Sequence, residues 1–327
     1  MTNKIYYEAN LPDDIYLFHQ PFWLNAVSGD NWDVALIIEN DKIIASMPYC
    51  YNKTKAGLNI LMPLFSSFLG PYIVYKKDLK NVSKINQEMN LLDQLMQRLP
   101  PFKSFNQNWH NSYQNWLPFY WNGYKQTTRY TYIIEDRDIG AVWDALRTEA
   151  RTEIRRGEKM FQLTENRTNR DFYDLVCKTW ERQKKKPPAD FDFHDRLINV
   201  LKKNNAGRVL FAEYDNKPIS ALLYAWDSNS AYALIDGTDA ESKYNGAQSF
   251  VFWNAIKFAS ESGRKFNLNG SMLFTIEKFL RKFGGTQKTY FAVTKNNKTI
   301  NELIADAADS LKMAFRLMGS KIKRKLR

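Results

Sequence analysis

Two stretches of the chain carry the same pattern of apolar and polar positions. Val209–Trp226, "VLFAEYDNKPISALLYAW", is an apolar run, a polar Asp-Asn-Lys turn and a second apolar run. Val34–Tyr51, "VALIIENDKIIASMPYCY", repeats that layout with Asn-Asp-Lys in the turn. Both read as β-hairpins. Around the second hairpin the pattern predicts a short strand at 161–165 and a helix in "TNRDFYDLVCKTWERQ", with Phe172, Val176, Thr179 and Trp180 on one face. "KKKPP" breaks that helix, and "DFHDRLINVLKKN" forms another before Gly207. A third strand, "SAYALIDG" (230–237), an amphipathic helix from Gly246 to Gly263, a strand "KFNLN", a helix "LFTIEKFLRKF" stopped by Gly284-Gly285 and a last strand "KTYFAV" complete the order β-α-α-β-β-β-α-β-α-β.

The first half repeats this order more loosely. "PFWLNAV" is helical, the hairpin follows, and after "NILMPLFSSFLGPYIVY" come a helix at 82–98, a strand near 102–106, a helix around 112–121 and a strand at 128–134. A hairpin-and-helix order met twice predicts a duplicated α/β unit: residues 1–136, then residues 137–298, each with a mixed, mostly antiparallel sheet flanked by helices. Each hairpin would start a sheet, and the two sheets would face each other across a cleft. Two helices stand outside the repeat. One, at 138–161, joins the halves; the other, at 299–319 within a C-terminal segment 299–327, is expected to pack back on the first domain. No low-complexity linker separates the halves, so a tight, fixed interface is expected.

Length and composition fit two folded domains: 327 residues, 44% hydrophobic and 15% aromatic. The two cysteines, Cys50 and Cys177, form no CxxC or disulfide framework, which suits a reducing compartment. With no apolar leader and no apolar run long enough to span a bilayer, the chain reads as cytoplasmic. A net charge of +12 favours an anionic partner: nucleic acid, an anionic membrane face or a phosphorylated small molecule. The three histidines have no metal-ligand spacing, no triad or phosphate-loop motif occurs, and neither cysteine sits where its thiol would be activated. No metal is expected. Direct aminolysis needs none of these groups, because positioning an amine beside an ester or thioester supplies much of the rate.

Candidate residues follow from local position. Asn269, Gly270 and Ser271 lie where a strand ends and a helix begins, where free N–H groups point at the incoming chain. Gly270 would let a ligand approach the backbone. In the helix beyond, Ile276, Phe279, Leu280 and Phe283 should face inward, with Arg281 and Lys282 on the polar side and Arg281 free to hold a phosphate. On the joining helix Ile139, Val142, Leu146, Ala150 and Ile154 form the buried stripe, and Arg147, Arg151 and Arg155 stand beside it at i, i+4, i+8. Like charges at that spacing cost about 0.2–0.5 kcal/mol per pair, so a phosphate or a facing acid should neutralise Arg151. Arg182 closes a helix where it can reach substrate, and Tyr232 lies on the third strand. A backbone N–H near Ile235–Gly237 could hold a developing oxyanion. Asp236 or Glu277 could take the proton of an attacking ammonium, although Asp236 also suits a turn before Gly237 and Glu277 also suits an ion pair with Arg281. Gly246, Ala247 and Gln248 open a helix after the third strand, whose free amides and dipole favour an anion.

The β-β-β-helix-β-helix-β order resembles the GNAT acyltransferase fold. Two tandem copies, with "RYTYII", "LRTEARTEIRRGEK", "TWERQKKKPP" and "FNLNGSMLFTIEKFLRKFGG", resemble the FemA/FemB-like (FemX-type) transferases, including acetyltransferase-like proteins of polysaccharide clusters. The likeness spans nearly the whole chain. It departs at Leu280, where the family's "FKxGF" has Lys; "ESKYNGA" lacks the Q/R-x-x-G-x-G/A pattern of acyl-CoA enzymes, as Fem-type proteins also do. The resemblance implies an acyltransferase that moves an acyl or aminoacyl group to an amine of a phosphorylated cell-envelope precursor, nucleotide- or lipid-linked. The donor, aminoacyl-tRNA or acyl-CoA, would not be held as a tight cofactor. The alternatives are an acyl-CoA N-acetyltransferase and a non-catalytic double-GNAT module that binds membrane or RNA. The basic C-terminus, "LKMAFRLMGSKIKRKLR", could seat the protein peripherally at the inner membrane face, or equally be a domain-packing helix with cations placed at its C-terminus.

Overall fold

A computed structural model describes residues 2–239 and 245–297. The C-terminal helix expected at 299–319 and the basic tail lie outside the described residues. The first half runs α1 (Asn3–Ala9), a 3₁₀ turn (Leu17–His19), α2 (Pro21–Ser28), β1 (Trp32–Glu39), β2 (Lys42–Thr54), β3 (Gly57–Leu61), β4 (Tyr72–Ile73), α3 (Asn81–Gln97), β5 (Ser104–Asn108), α4 (Leu117–Trp121) and β6 (Lys125–Ile134). The second half runs α5 (Ile139–Ala145), α6 (Thr148–Met160), β7 (Gln162–Thr164), α7 (Asn169–Arg182), α8 (Phe191–Lys203), β8 (Gly207–Tyr214), β9 (Lys217–Trp226), β10 (Ser230–Thr238), α9 (Ala247–Glu261), β11 (Lys265–Asn267), α10 (Phe274–Arg281) and β12 (Thr286–Asn296). Both hairpins turn as expected, with the left-handed conformation at Asn40-Asp41 and again at Asp215-Asn216. Asn and Asp tolerate that conformation, which two-residue hairpins require.

Two facing sheets do not form. The strands make one sheet in the order β1-β2-β3-β5-β12-β6-β11-β10-β9-β8-β7, with β4 also on β2. The halves are joined by exchange of their last strands: β12 lies between β5 and β6, and β6 reaches β11, all antiparallel. Sharing β6 and β12 satisfies the backbone groups that two separate sheets would expose at their edges. The seam is packed as well as hydrogen-bonded. One core cluster joins Phe18, Trp23 and Phe68 of the first half to Phe172, Leu197 and Tyr232 of the second. Leu17 N–H donates to Asp227 (3.0 Å) and Arg196 Nε to Ala26 O (3.1 Å) across it. Each large apolar side chain sealed there stabilises by about 1.5–3 kcal/mol.

In each half a parallel strand pair splays apart. In the second half β10 runs beside β11 only from Ser230 to Tyr232, and a bulge at Leu234 interrupts its pairing with β9. In the first half β3 runs beside β5 at Asn59 and Ile60. There β3 and β4 are two pieces of one strand position along β2, since Leu61 lies opposite Cys50 and Tyr72 opposite Ser46. Residues 62–71 between them leave the sheet and come back, touching β5 again where Leu69 bridges to Trp109.

The joining segment is two helices rather than one. Leu146 and Arg147 are extended, and Arg147 N–H bonds to Lys282 O (3.0 Å). Arg147 thus precedes α6 and does not continue an i, i+4, i+8 arginine row. The apolar stripe survives the break: Val142, Leu146, Ala150 and Ile154 are all buried. On α10, Leu280 and Phe283 are buried and Phe279 partly so, but Ile276 is 40% exposed and Lys282 only 6%. The break at Leu146–Arg147 and the docking of α10 against α6 turn Lys282 inward.

Candidate functional site

A cleft of about 460 Å³ opens where α6, α7, α9 and α10 converge on the far end of β10. Gly246 caps α9 in the left-handed conformation. A Cβ there would lie 2.6 Å from Glu153 O, so glycine is required for α9 to begin against α6. The first turn of α9, with the positive end of its dipole, therefore faces the cleft. Its Gln248 side chain donates to Asp236 Oδ2 (2.7 Å). Asp236 is inside β10 and not in a turn. Burial raises its carboxyl above the ordinary aspartate range, opposed by the Gln248 hydrogen bond and the Arg182 charge.

Charges of both signs line the cleft: Glu149, Glu153 and Asp239 with Arg182, Lys278 and Lys282. Glu149 and Glu153 are one turn apart on α6, and Lys278 and Lys282 one turn apart at the end of α10. Lys282 pairs with Glu153, which also accepts from Ser249 Oγ. The Lys282 ammonium lies 4.3 Å from the centre of the Phe279 ring, a further stabilising contact for a cation withdrawn from water. No ion pair engages Lys278 or Arg182 among the described residues, which leaves two cations to meet an anionic ligand.

The cleft gathers Arg182, Gly246, Gln248 and Phe279, with Asp236 reached through Gln248; Ala247 follows Gly246 but is itself fully buried. The other candidates lie elsewhere. Tyr232 is 1% exposed, and its hydroxyl donates to Asp227 (2.8 Å), so it is a strut of the seam without access to substrate. The missing side chain of Gly270 makes room for main chain. A Cβ there would lie 1.9 Å from Tyr130 O, and its N–H donates to Thr131 Oγ1 (3.0 Å), so the approach it permits is to β6. Asn269 holds the Ala233 carbonyl and accepts from Ser67 Oγ (2.7 Å), and Ser271 caps the backbone at Leu273 (3.1 Å). Arg151 turns back to Asp144 O (3.2 Å) and Thr148, answered neither by a facing acid nor by the cleft, and Arg155 lies over Trp143. Glu277 accepts from Tyr132 OH (2.5 Å) and pairs with Arg281 (3.3 Å), so both belong to the outer face of α10. Glu149, Glu153, Lys278 and Lys282 were missed by sequence reasoning, although two acids and two lysines each four residues apart were the available signal. His19 and His110 lie outside the cleft, their imidazoles pushed down by burial to about 3 and about 4.

No curated protein sequence matches the chain. Residues 144–270 match the family model described as "Acetyltransferase (GNAT) domain". Among solved structures, FemX superposes with a TM-score of 0.63 at 9% identity, covering 88% of this chain and 94% of that one. A conserved protein of unknown function from Bacteroides thetaiotaomicron gives 0.51 at 11%, covering 89% and 95%. The C-terminal domain of a putative lysylphosphatidylglycerol synthetase from Agrobacterium fabrum gives 0.48 at 14%, covering 88% of each chain. The fold is that of the GNAT acyltransferases. More particularly, the chain carries a GNAT acetyltransferase domain in residues 144–270, and along most of its length its fold is similar to that of FemX.

Among the described residues no helix is long and apolar enough to cross a membrane.

Proposed function

We propose that the protein transfers an acyl or aminoacyl group to an amine of a phosphorylated cell-envelope precursor, at the cleft beside the end of β10. The observation that carries this reading is the position of Asp236. It lies two residues beyond the bulge at Leu234, its carboxyl held by Gln248 from the first turn of α9. A bulge leaves ladder groups unpaired and re-aims the strand, so a donor carbonyl laid there would meet backbone N–H able to hold an oxyanion. Asp236, its affinity for protons raised, is suited to take one from an attacking ammonium. The proton leaves nitrogen as the new C–N bond forms, and the donor's ester oxygen or thioester sulfur departs with the electron pair of the bond that breaks. Mixed charge suits this pair of reactants. Arg182 and Lys278 can meet phosphate, and Glu149 can meet the ammonium before it loses its proton.

A second reading, an acyl-CoA N-acetyltransferase, is favoured by the side-chain-free entry of α9 at Gly246, where amides can receive a pyrophosphate. One experiment addresses both. The full chain is incubated with envelope precursors and either acyl-CoA or aminoacyl-tRNA, and the precursor is weighed by mass spectrometry. Mass added from aminoacyl-tRNA supports the first reading and mass added from acyl-CoA alone the second. No added mass with either donor, beside salt-sensitive binding to RNA or liposomes, overturns both in favour of a binding module.

A further inference from the structure

The turn that leads into α10 holds apolar side chains out in solvent. Met272 is 58% exposed, Leu273 59%, Phe274 75% and Ile276 40%, and among the described residues no other large apolar side chain is as exposed as Phe274. Apolar surface concentrated in this way marks an interaction site, where single exposed residues would not. The turn is fixed by its backbone. Ser271 Oγ accepts from Leu273 N–H (3.1 Å), and Leu273 O accepts from Glu277 N–H (2.9 Å) to begin the helix. Packing of α10 onto the core uses Leu280 and Phe283 instead. The four side chains therefore stand as an apolar prong that the fold does not itself use.

Cations crowd the same corner. Thr275 and Lys278 of α10 line the charged cleft, and Arg182 lines it from the end of α7. Residues 181–186 read Glu-Arg-Gln-Lys-Lys-Lys, four cations to one acid, all exposed. Lys184 and Lys185 are turned back beside Arg182 by N–H bonds to Glu181 O (2.8 Å) and Trp180 O (3.0 Å). No ion pair engages these three lysines among the described residues. An apolar prong beside unpaired cations fits the surface of a bilayer with anionic headgroups, which takes the apolar groups among its acyl chains and the cations at its phosphates. RNA would answer the cations but leave Met272, Leu273 and Ile276 in water, because they offer no flat face for a base to stack on. A protein partner would need a hollow shaped to the prong, whereas a bilayer deforms around it.

We infer that residues 272–276, with Lys184, Lys185 and Lys186, form a membrane-docking surface that seats the second half of the protein on an anionic leaflet. The surface belongs to the folded α/β body and is separate in sequence from the basic C-terminal stretch. Phe274 and Ile276 flank Thr275, which lines the cleft, so docking brings the mouth of the cleft to the level of the headgroups. A lipid-linked acceptor would then reach Asp236 without leaving the leaflet, a consequence that rests on the proposed transfer. The docking itself does not.

Hydrogen exchange on the full chain tests this, with vesicles of mixed phosphatidylglycerol and phosphatidylcholine and with vesicles of phosphatidylcholine alone. Slowed exchange at residues 271–278 and 184–186 is expected with the mixed vesicles only. In co-sedimentation with the mixed vesicles, Leu273→Ser and Phe274→Ser should each partition about tenfold more weakly than the parent. Lys184→Glu combined with Lys186→Glu should do the same or more. All of these changes fall on exposed side chains, and two prong variants are used so that one failing to fold leaves the other. Protection confined to residues 298–327 or to α4, or parent-like partition of both prong variants, overturns the inference. So does an absence of vesicle binding beside tRNA binding that only the lysine variant loses, which would give the surface to RNA. If vesicles bind but no donor yields a product, the proposed transfer falls and the docking stands; if transfer proceeds and no vesicle binds, the reverse holds.

Discussion

The two splayed strand pairs share a layout and differ in what occupies the gap. In the second half β10 bends at one bulged residue, Leu234, and the gap beyond it leads to the cleft beside Asp236. In the first half the matching strand is cut into β3 and β4, and residues 62–71 are pushed through the gap. That excursion fills the opening with its own side chains. Phe65 packs against Phe193 and His194, Phe68 against Tyr232, and Gly70 lies so close to Trp109 that a Cβ would be 2.5 Å from its ring. One gap is open and the other is occupied by chain that reaches into the second half. Similar strand layout therefore does not imply similar chemistry: in this molecule the gap of the first half helps to build the seam.

The comparison is broken most severely at Gly270. Its backbone lies on β6, and Gly270→Ala would put a methyl group 1.9 Å from Tyr130 O, which is main chain and cannot rotate away. We expect a loss of more than about 4 kcal/mol of stability, in the exceptional range for a point change, read as a large fall in Tm or as insoluble protein. A Tm within a few degrees of the parent would mean that the seam is looser than the strand exchange requires.

Lys282 tests the open half next. Removing one partner of a buried ion pair costs about 3–5 kcal/mol, because the other charge is stranded, whereas replacing both is often nearly neutral. Lys282→Met alone should therefore unfold at clearly lower denaturant than Lys282→Met with Glu153→Gln. Equal midpoints for the single and double variants would show that Glu153 finds enough water in the cleft to do without its lysine.

Much of this architecture was legible in the chain. Hairpins at Val34–Tyr51 and Val209–Trp226, the helix after Gly246 and the Gly-Gly stop at 284–285 follow from turn chemistry and apolar period, which act within one element. The strand exchange was not legible, because "KTYFAV" reads the same whichever sheet receives it; pairing across 150 residues leaves no local mark. The site was legible only where a local feature and a tertiary one coincide. Gly246 and Gln248 head a helix, and the cleft lies at that helix end. Gly270 looked like ligand access because a glycine between a strand and a helix permits close approach without saying to what. Lys282 looked solvated because helical period placed it beside Arg281, and only the break at Leu146–Arg147 turns it inward.

Asp236 separates function from stability within the open half. Its carboxyl has a higher proton affinity folded than unfolded, so the stability it contributes is present at low pH and is lost as pH rises through its folded pKa. Asp236→Asn should then be neutral or slightly stabilising at pH 7, while kcat falls about 100-fold if the carboxylate is the general base. The kcat/KM profile of the parent should rise with pH through a pKa above the usual aspartate range, and the variant should lose that limb. A variant with unchanged kcat and an unchanged profile would leave the proton to solvent and remove Asp236 from the reaction.

Arg281 gives the smallest effect and marks the boundary of the site. It is the neighbour of Lys282 in sequence but lies on the opposite side of α10, with 49% of its side chain exposed and Glu277 as its partner one turn earlier. An exposed pair at that spacing is worth about 0.3–0.5 kcal/mol. Arg281→Ala should shift the denaturation midpoint barely beyond error and leave kcat and KM within about twofold, a change of about 0.4 kcal/mol. A KM raised tenfold for a phosphorylated acceptor, with stability unchanged, would mean that substrate reaches over the outer face of α10. The acceptor path would then extend past Lys278, and the cleft as drawn here would be only its inner end.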